Sequence, residues 1–159
     1  MRQADFPDQT CSIARALEIV GERWTLLVVR EAFFGARRFG DFEEGLGIAK
    51  NVLSDRLAKL LAAGVLERTS VVGRGNPGDY RLTEKGRDLF PIIIALMQWG
   101  DKWTYDGRRA PVRVVDRIDR EDILPLRVSA RSGRPLGLKD VAVEPGPGAD
   151  EAIRRRFGA

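Results

Sequence analysis

Apolar residues recur at three- and four-residue steps through the first hundred residues, which is the spacing of one helix face. CSIARALEIVG predicts a first helix that Gly21 ends, with Ser12 as its N-cap. ERWTLLVVREAFFG predicts a second helix that Gly35 ends, and its side chains are apolar almost all round. A helix without a polar face is typical of the buried centre of a small bundle. The pattern therefore predicts a mainly helical domain.

Two short helices joined by a tight glycine turn follow. ARRFGDFEEGLG carries one apolar stripe and closes at Gly45 and Gly47. The next helix runs from Ala49 to Ala63, and other leucines lie within about 80° of Leu53 at 100° per residue: Leu57, Leu60 and Leu61. The opposite face carries small or polar side chains: Asn51, Asp55, Ala58 and Ala62. Ser54 and Lys59 lie on its flanks. This arrangement predicts a helix-turn-helix.

A hairpin and a long helix complete this part of the chain. Residues 66–72 are rich in β-branched side chains, GRGNPG is a loop, and DYRLT is a return strand. A hairpin at this place is the wing of a winged-helix domain, with Arg74 at its tip. In the following helix we expect Thr83 as N-cap, and Pro91 should kink the helix or split off its first turns. Two neighbouring apolar stripes along this helix leave surface for a partner, which favours a dimer.

The composition changes after Trp103. YDGRRAP is typical of a linker, and three segments predict short strands: VRVVDRI, LPLRVSA and DVAVEP. RSGRP predicts a turn between the last two, and EAIRRRFGA is a basic tail. We therefore predict an α+β, mainly helical protein. A winged helix-turn-helix domain spans residues 1–106, and a small β-rich C-terminal extension with a basic tail spans residues 107–159.

The composition narrows the function. The 159 residues include no histidine and one cysteine, which excludes an intrachain disulfide, most zinc sites and the commonest general base. We expect a non-enzyme without metal or cofactor, because the carboxylates of DRIDRED are better explained as a solvated charge run. No apolar run is long enough for a membrane, and the first residues lack a secretory segment, so we expect a cytoplasmic protein. The net charge of +4 permits nucleic-acid binding but does not establish it.

Four stretches carry a family resemblance: CSIARALEIVGERWTLLVVRE, RRFGDFEEGLGIAKNVLSDRLAKLLAAGVLER, YRLTEKG and ALMQWGDKW. Together they resemble the HxlR family of bacterial winged-helix transcriptional regulators, from about Cys11 to Trp103. The resemblance implies a homodimer held by the first helix and the long helix after the wing. It implies double-stranded operator DNA as partner and, in many members, a response to small electrophiles, oxidants or metabolites. We interpret the protein as a repressor; a winged-helix module that binds protein or RNA is the alternative.

The helix from Ala49 supplies the groups that read bases. Asn51 can pair with adenine, and Lys50 and Lys59 can reach guanine or phosphate. Ser54 can serve either purpose. Asp55 either accepts from a cytosine amine or positions a neighbouring arginine, and Arg56 bonds phosphate or Asp55. A solvated helix face is the alternative, and the hairpin and the resemblance favour DNA.

Two further places are predicted to contact the DNA backbone or the minor groove. Arg37 and Arg38 stand where the third helix begins, and relatives place a basic residue here against the backbone. An ordinary surface charge pair is the alternative. Arg74 at the wing tip is suited to a narrow minor groove, or is a loop cation without a role.

Candidate sensing groups are few. A helix start and nearby Arg15 favour the thiolate form of Cys11, and some family members place a sensing cysteine near this position. A small apolar residue under the dimer interface is the alternative. Trp24, Trp99 and Trp103 are expected in core and interface, and a cavity lined by them near the dimer axis is the first candidate for a small-molecule effector.

The extension also resembles that of some relatives, through GRPL and EPGPGA. Some of those extensions carry cysteines and histidines suited to a metal. This chain has neither residue type there, so the resemblance implies no metal site.

Overall fold

The computed structural model describes residues 10–69, 78–105 and 109–158. Four helices come first: α1 (Ser12–Val20), α2 (Thr25–Phe34), α3 (Phe39–Leu46) and α4 (Lys50–Ala62). A two-stranded antiparallel sheet and two helices follow: β1 (Leu66–Thr69), β2 (Asp79–Leu82), α5 (Glu84–Arg87) and α6 (Phe90–Thr104). A short 3-10 helix (Leu138–Asp140) and α7 (Glu151–Phe157) come last. The predicted mainly helical, winged helix-turn-helix fold is confirmed. Over the described ranges, the helices are too short or too polar to span a membrane.

The chain divides into two compact units, Met1–Ile93 and Ile94–Ala159, with the boundary inside α6. The largest fully buried side chains all belong to the first unit and come from α2, α3, α4 and the start of β1: Val28, Val29, Phe42, Leu53, Leu57, Leu60, Val65 and Leu66. The core of the first unit therefore lies where the helix-turn-helix packs on α2 and the hairpin.

Helix α2 is shorter and less buried than its sequence predicts. The apolar pattern predicts a helix from Glu22, whereas α2 begins at Thr25. Trp24 precedes it with a φ of 78°, a left-handed conformation that is uncommon outside glycine. Leu27 and Phe34 are exposed, so the helix is buried on one side only. This mostly apolar helix therefore has one exposed face that carries large apolar side chains.

The TEKG segment ties α5 to the end of α4. The Thr83 hydroxyl accepts from the backbone N–H of Gly86 at 3.1 Å and donates to the carbonyl oxygen of Gly64 at 2.6 Å. The Lys85 ammonium donates to the carbonyl oxygen of Ala63 at 2.8 Å. Thr83 is therefore the predicted N-cap, and it also satisfies a carbonyl at the end of α4.

Pro91 splits the long helix as predicted. Helix α5 ends at Arg87, and α6 begins at Phe90 with Pro91 in its first turn. Proline is tolerated there because the first N–H groups of a helix have no intrahelical acceptor.

The extension forms less sheet than its sequence predicts. Between residues 109 and 158 the structure has two isolated bridges, Val115 with Asp122 and Ser129 with Pro135, and no named strand. The prediction of a β-rich extension is therefore wrong for these residues. Most apolar side chains of the predicted strands are exposed, for example Ile118 and Leu124, so a sheet here would have little buried face to stabilise it.

The turn and the basic tail of the extension both have defined local structure. RSGRP is a turn, in which the Ala130 N–H donates to the carbonyl oxygen of Arg134 and Gly133 has a φ of 82°. The basic tail forms α7, whose N-cap Asp150 accepts from the backbone N–H of Ile153 at 2.8 Å.

Candidate nucleic-acid interface

Helix α4 is the second helix of the helix-turn-helix, and its two faces differ as predicted. Its buried side chains are leucines: Leu53, Leu57 and Leu60. Its exposed positions include most of the predicted DNA-reading residues: Lys50, Asn51, Ser54, Asp55 and Lys59. The turn from α3 passes through Gly47, whose φ of 60° favours glycine. The packing of the leucines therefore fixes which side of α4 faces solvent.

The side chains of Asn51 and Ser54 are exposed. In the part of the chain that the structure describes, neither side chain makes a hydrogen bond. Lys50 lies beside them with 75% of its side chain exposed, and its Nζ lies 3.6 Å from a carboxylate oxygen of Glu43. Donors and acceptors on the first two turns of α4 are thus open to a ligand.

A carboxylate outside the helix-turn-helix holds the basic residues further along α4. Glu22, between α1 and α2, contacts the guanidinium of Arg56, and its second oxygen lies 2.5 Å from the Lys59 ammonium. Asp55 joins the group, 2.8 Å from Arg56 and 3.4 Å from Lys59. The two acids and two bases cancel in charge. Phosphate must therefore compete with Glu22 and Asp55 for Lys59.

Arg56 is the least accessible of the predicted DNA-reading residues on α4. Its side chain is 16% exposed, and its Nε is buried without a hydrogen-bond partner. Of the two roles predicted for Asp55 and Arg56, their mutual contact is the one present in the structure. Glu22 was not among the sequence-predicted site residues, because it lies 37 positions from Lys59 and no local pattern links them.

The two arginines before α3 separate into different roles. Arg37 is half-buried, and its Nη1 donates to the carbonyl oxygens of Ala32 and Ala36, both at 2.8 Å, at the end of α2. Arg38 is 71% exposed, with its Nε 3.8 Å from a carboxylate oxygen of Asp79. Arg38 is therefore the one of the pair whose charge faces solvent.

Asp41 fixes the start of α3. Its carboxylate accepts from the backbone N–H groups of Arg37 at 2.9 Å and Arg38 at 2.8 Å. These two hydrogen bonds are the main reason that the pKa of Asp41 lies below its ordinary value, and the charges of the two arginines add to the effect. Arg38 is thereby placed at the N-cap with its side chain outside the helix.

The other sequence-predicted residues belong to segments of the chain outside α3 and α4. Arg74 lies outside the described residues. Cys11 is exposed and is itself the N-cap of α1, in place of the predicted Ser12. The guanidinium of Arg15 lies 3.3 Å from a carboxylate oxygen of Glu18 and forms an ion pair with it. A sensing role for Cys11 stays a prediction.

The predicted tryptophan cavity also stays a prediction. Trp99 and Trp103 of α6 are 63% and 65% exposed, and Trp24 is half-buried before α2. The second unit has a cavity of about 320 Å³, but it is lined by other residues, among them Met97, Arg113 and Asp122. Trp99 and Trp103 therefore do not belong to the core of this single chain, and their predicted place in a dimer interface stays a prediction.

Comparisons with known proteins agree with this architecture. The family described as HxlR-like helix-turn-helix matches residues 19–107. The HTH-type transcriptional regulator Rv3095 of Mycobacterium tuberculosis is 44% identical over 137 residues, which cover 86% of this chain and 87% of that protein. The crystal structure of PA1607, named as a transcription factor, superposes with a TM-score of 0.80 at 39% identity and covers 86% of this chain and 96% of that one.

A redox regulator is among the similar structures. HypR in its reduced form superposes with a TM-score of 0.52 at 26% identity, covering 61% of this chain and 99% of that one. The family match spans more than half of the chain and includes all of the helix-turn-helix and wing strands. The protein therefore belongs to the HxlR-like helix-turn-helix family of transcriptional regulators.

Proposed function

We propose that the protein is a homodimeric repressor that inserts α4 of each subunit into the major groove of operator DNA. The observation that carries the proposal is the division of α4: three leucines are buried, while Asn51 and Ser54 are exposed and unpaired in the described part of the chain. Amide and hydroxyl groups on one helix face suit base edges in the major groove. Lys50 and Lys59 supply cations near them for guanine or phosphate.

Backbone contacts support the same placement. Arg38 at the N-cap of α3 is exposed and suits a phosphate beside the groove. In this proposal Arg74 adds a contact with the minor groove. Arg37 contributes less directly, because its Nη1 already bonds two carbonyl oxygens.

The dimer is supported by two exposed apolar faces. Helix α1 exposes Ile13 and Leu17, and α6 exposes Leu96, Trp99 and Trp103 at helical spacing. Large exposed apolar side chains grouped on one face mark interaction surfaces. To read successive turns of DNA, such a dimer should hold its two α4 copies about 34 Å apart. Sedimentation equilibrium should give twice the mass of the chain, and Trp99→Glu should give the monomer.

The regulatory signal is proposed to be a small molecule or an oxidant. Exposed Cys11 at the start of α1 lies on one of the two proposed dimer helices, so an adduct there would bias the subunit arrangement. With one cysteine per chain, the chemistry is limited to an adduct or a disulfide between subunits.

The proposal is tested by genomic footprinting of the protein followed by gel shifts on the recovered fragments. A repressor should select a near-palindromic duplex and lower transcription from it. Equal affinity for single-stranded RNA and duplex DNA, or binding with little salt dependence, would instead support a protein- or RNA-interaction module.

A further inference from the structure

Three arginines from different elements line one cavity of the first unit. The cavity has a volume of about 350 Å³, within the range of small-molecule sites. Arg37 comes from the loop after α2, Arg81 from β2 and Arg87 from the end of α5. The other lining residues are apolar or small: Ala32, Phe33 and Leu82. Residues distant in sequence thus bring three positive charges to one concavity.

Backbone carbonyls hold two of these guanidinium groups in place. Arg37 donates through Nη1 to Ala32 and Ala36, and Arg87 donates through Nη1 to the carbonyl oxygen of Leu82 at 2.9 Å. Each guanidinium has five N–H donors, so most donors of both remain unused by these bonds. The side chain of Arg81 is exposed and makes no hydrogen bond or ion pair within the described ranges.

No carboxylate among the described residues lines this cavity to balance its charge. Glu67 is the cross-strand neighbour of Arg81 in the sheet, yet no ion pair joins the two. Three like charges around one space repel one another, and an anion in that space removes the repulsion. The contrast with α4 is direct, because each of its basic residues has a carboxylate partner.

We propose that this three-arginine cavity binds a small organic anion that has a carboxylate or phosphate head and a flat apolar body. The head accepts from the guanidinium groups of Arg81 and Arg87, for which paired N–H donors are well suited. The body lies against Phe33, whose ring packs 5.3 Å from that of Phe90 at the start of α6. The ligand therefore bridges the wing strand β2 and the end of α2.

A small anion fits the cavity better than a duplex phosphate does. The site is concave and has an apolar wall, whereas a duplex backbone offers only charged and sugar groups to a protein surface. The proposal concerns ligand binding without DNA, so it does not rest on the proposed operator binding. Calorimetry without DNA tests ligand binding, and gel shifts test operator binding, so one proposal can fail while the other holds.

The test is isothermal titration calorimetry of the full chain at low ionic strength, without DNA. The probes are phenyl phosphate and benzoate as aromatic anions, with inorganic phosphate and benzyl alcohol as single-feature controls. The variants are Arg81→Ala and Arg127→Ala, which lose the same charge from exposed side chains. An NMR titration of the arginine Nε–H signals of wild type locates the bound probe.

We expect one phenyl phosphate or benzoate per chain, weaker binding of inorganic phosphate and none of benzyl alcohol. Arg81→Ala should weaken aromatic-anion binding about tenfold or more, because one charged hydrogen-bonding group is lost. Arg127→Ala should change it less than about twofold. The absence of binding, or equal weakening by both variants, would overturn the proposal. So would unchanged probe binding in Arg81→Ala together with a weaker affinity for duplex DNA, which would make the cavity a backbone contact.

Discussion

The carboxylate of Glu22 contacts the guanidinium of Arg56, and each side chain is 16% exposed. Glu22 belongs to the turn between α1 and α2, while Arg56 lies on α4. The same carboxylate bonds Lys59, so one residue outside α4 sets the position of two of its cations. The surface proposed to read DNA is therefore held from the N-terminal side of the domain as well as by its own leucine face.

Glu22→Gln should lower the free energy of unfolding by about 1–3 kcal/mol, because a nearly buried guanidinium loses its charged acceptor. Urea unfolding followed by circular dichroism measures the change. Glu18→Gln is the matched control: its ion pair with Arg15 is 57% exposed on the arginine side, and such pairs contribute little. Equal losses of unfolding free energy in the two variants would show that the contacts of Glu22 stabilise the fold no more than an exposed ion pair does.

Asp41→Ala should destabilise the protein by about 1 kcal/mol, because two N–H groups at the start of α3 lose their acceptor. The hydrogen bonds to Arg37 and Arg38 hold the pKa of Asp41 below its ordinary value in the folded state. Its stabilisation is therefore complete above about pH 5 and is lost as the pH falls through the folded pKa. Stability curves of wild type and variant should converge in acid; a constant gap down to pH 2 would contradict this explanation.

Gly86→Ala should be destabilising by about 1–3 kcal/mol, the range for inserting an atom into a packed site. A Cβ on Gly86 would lie 2.2 Å from the backbone carbonyl oxygen of Val65. Gly100→Ala is the control within α6, because no atom lies within 4 Å of the added Cβ there. That variant should gain about 0.5–1 kcal/mol from helix propensity. The midpoint temperature of unfolding should therefore fall for Gly86→Ala and rise for Gly100→Ala.

Arg38→Ala should weaken binding to every duplex sequence and reduce the slope of log K against log salt by about one. The reason is that an exposed guanidinium beside α3 neutralises one phosphate whatever the bases are. Fluorescence anisotropy at several salt concentrations measures the slope. Arg117→Ala, an exposed arginine of the extension, should leave it unchanged. A loss confined to one operator sequence would assign Arg38 to base reading instead.

Local sequence signals predicted most of the DNA-binding unit. Glycines at helix ends, the Thr83 cap and the proline in α6 each act through neighbouring backbone, so their effect is readable from a few residues. The leucine spacing of α4 predicted its buried face for the same reason. Element order and the orientation of the predicted reading residues therefore followed from short-range pattern.

The features that the sequence did not predict depend on contacts between residues distant in the chain. Glu22 and Lys59 meet only after α1, α2 and α4 have packed. Arg37 turns toward α2 because the carbonyl oxygen of Ala32, at the end of that helix, accepts from its guanidinium. The extension differs from its predicted structure for another reason. Alternating apolar residues such as Ile118 and Val128 predict strands, but these side chains are exposed and stabilise no sheet. The sequence pattern alone does not show whether an apolar face is buried against another element.

The most direct measurement of the central claim is methylation protection of guanine N7, a major-groove atom, on a duplex recovered by footprinting. Two copies of α4 should protect two patches whose centres are about 10 base pairs apart. Lys50→Ala, which removes a cation that can reach guanine, should weaken protection at one equivalent position in each patch while both patches remain. A single patch, or guanine protection that is unchanged in a Lys50→Ala, Lys59→Ala double variant, would contradict the proposal that α4 reads the operator.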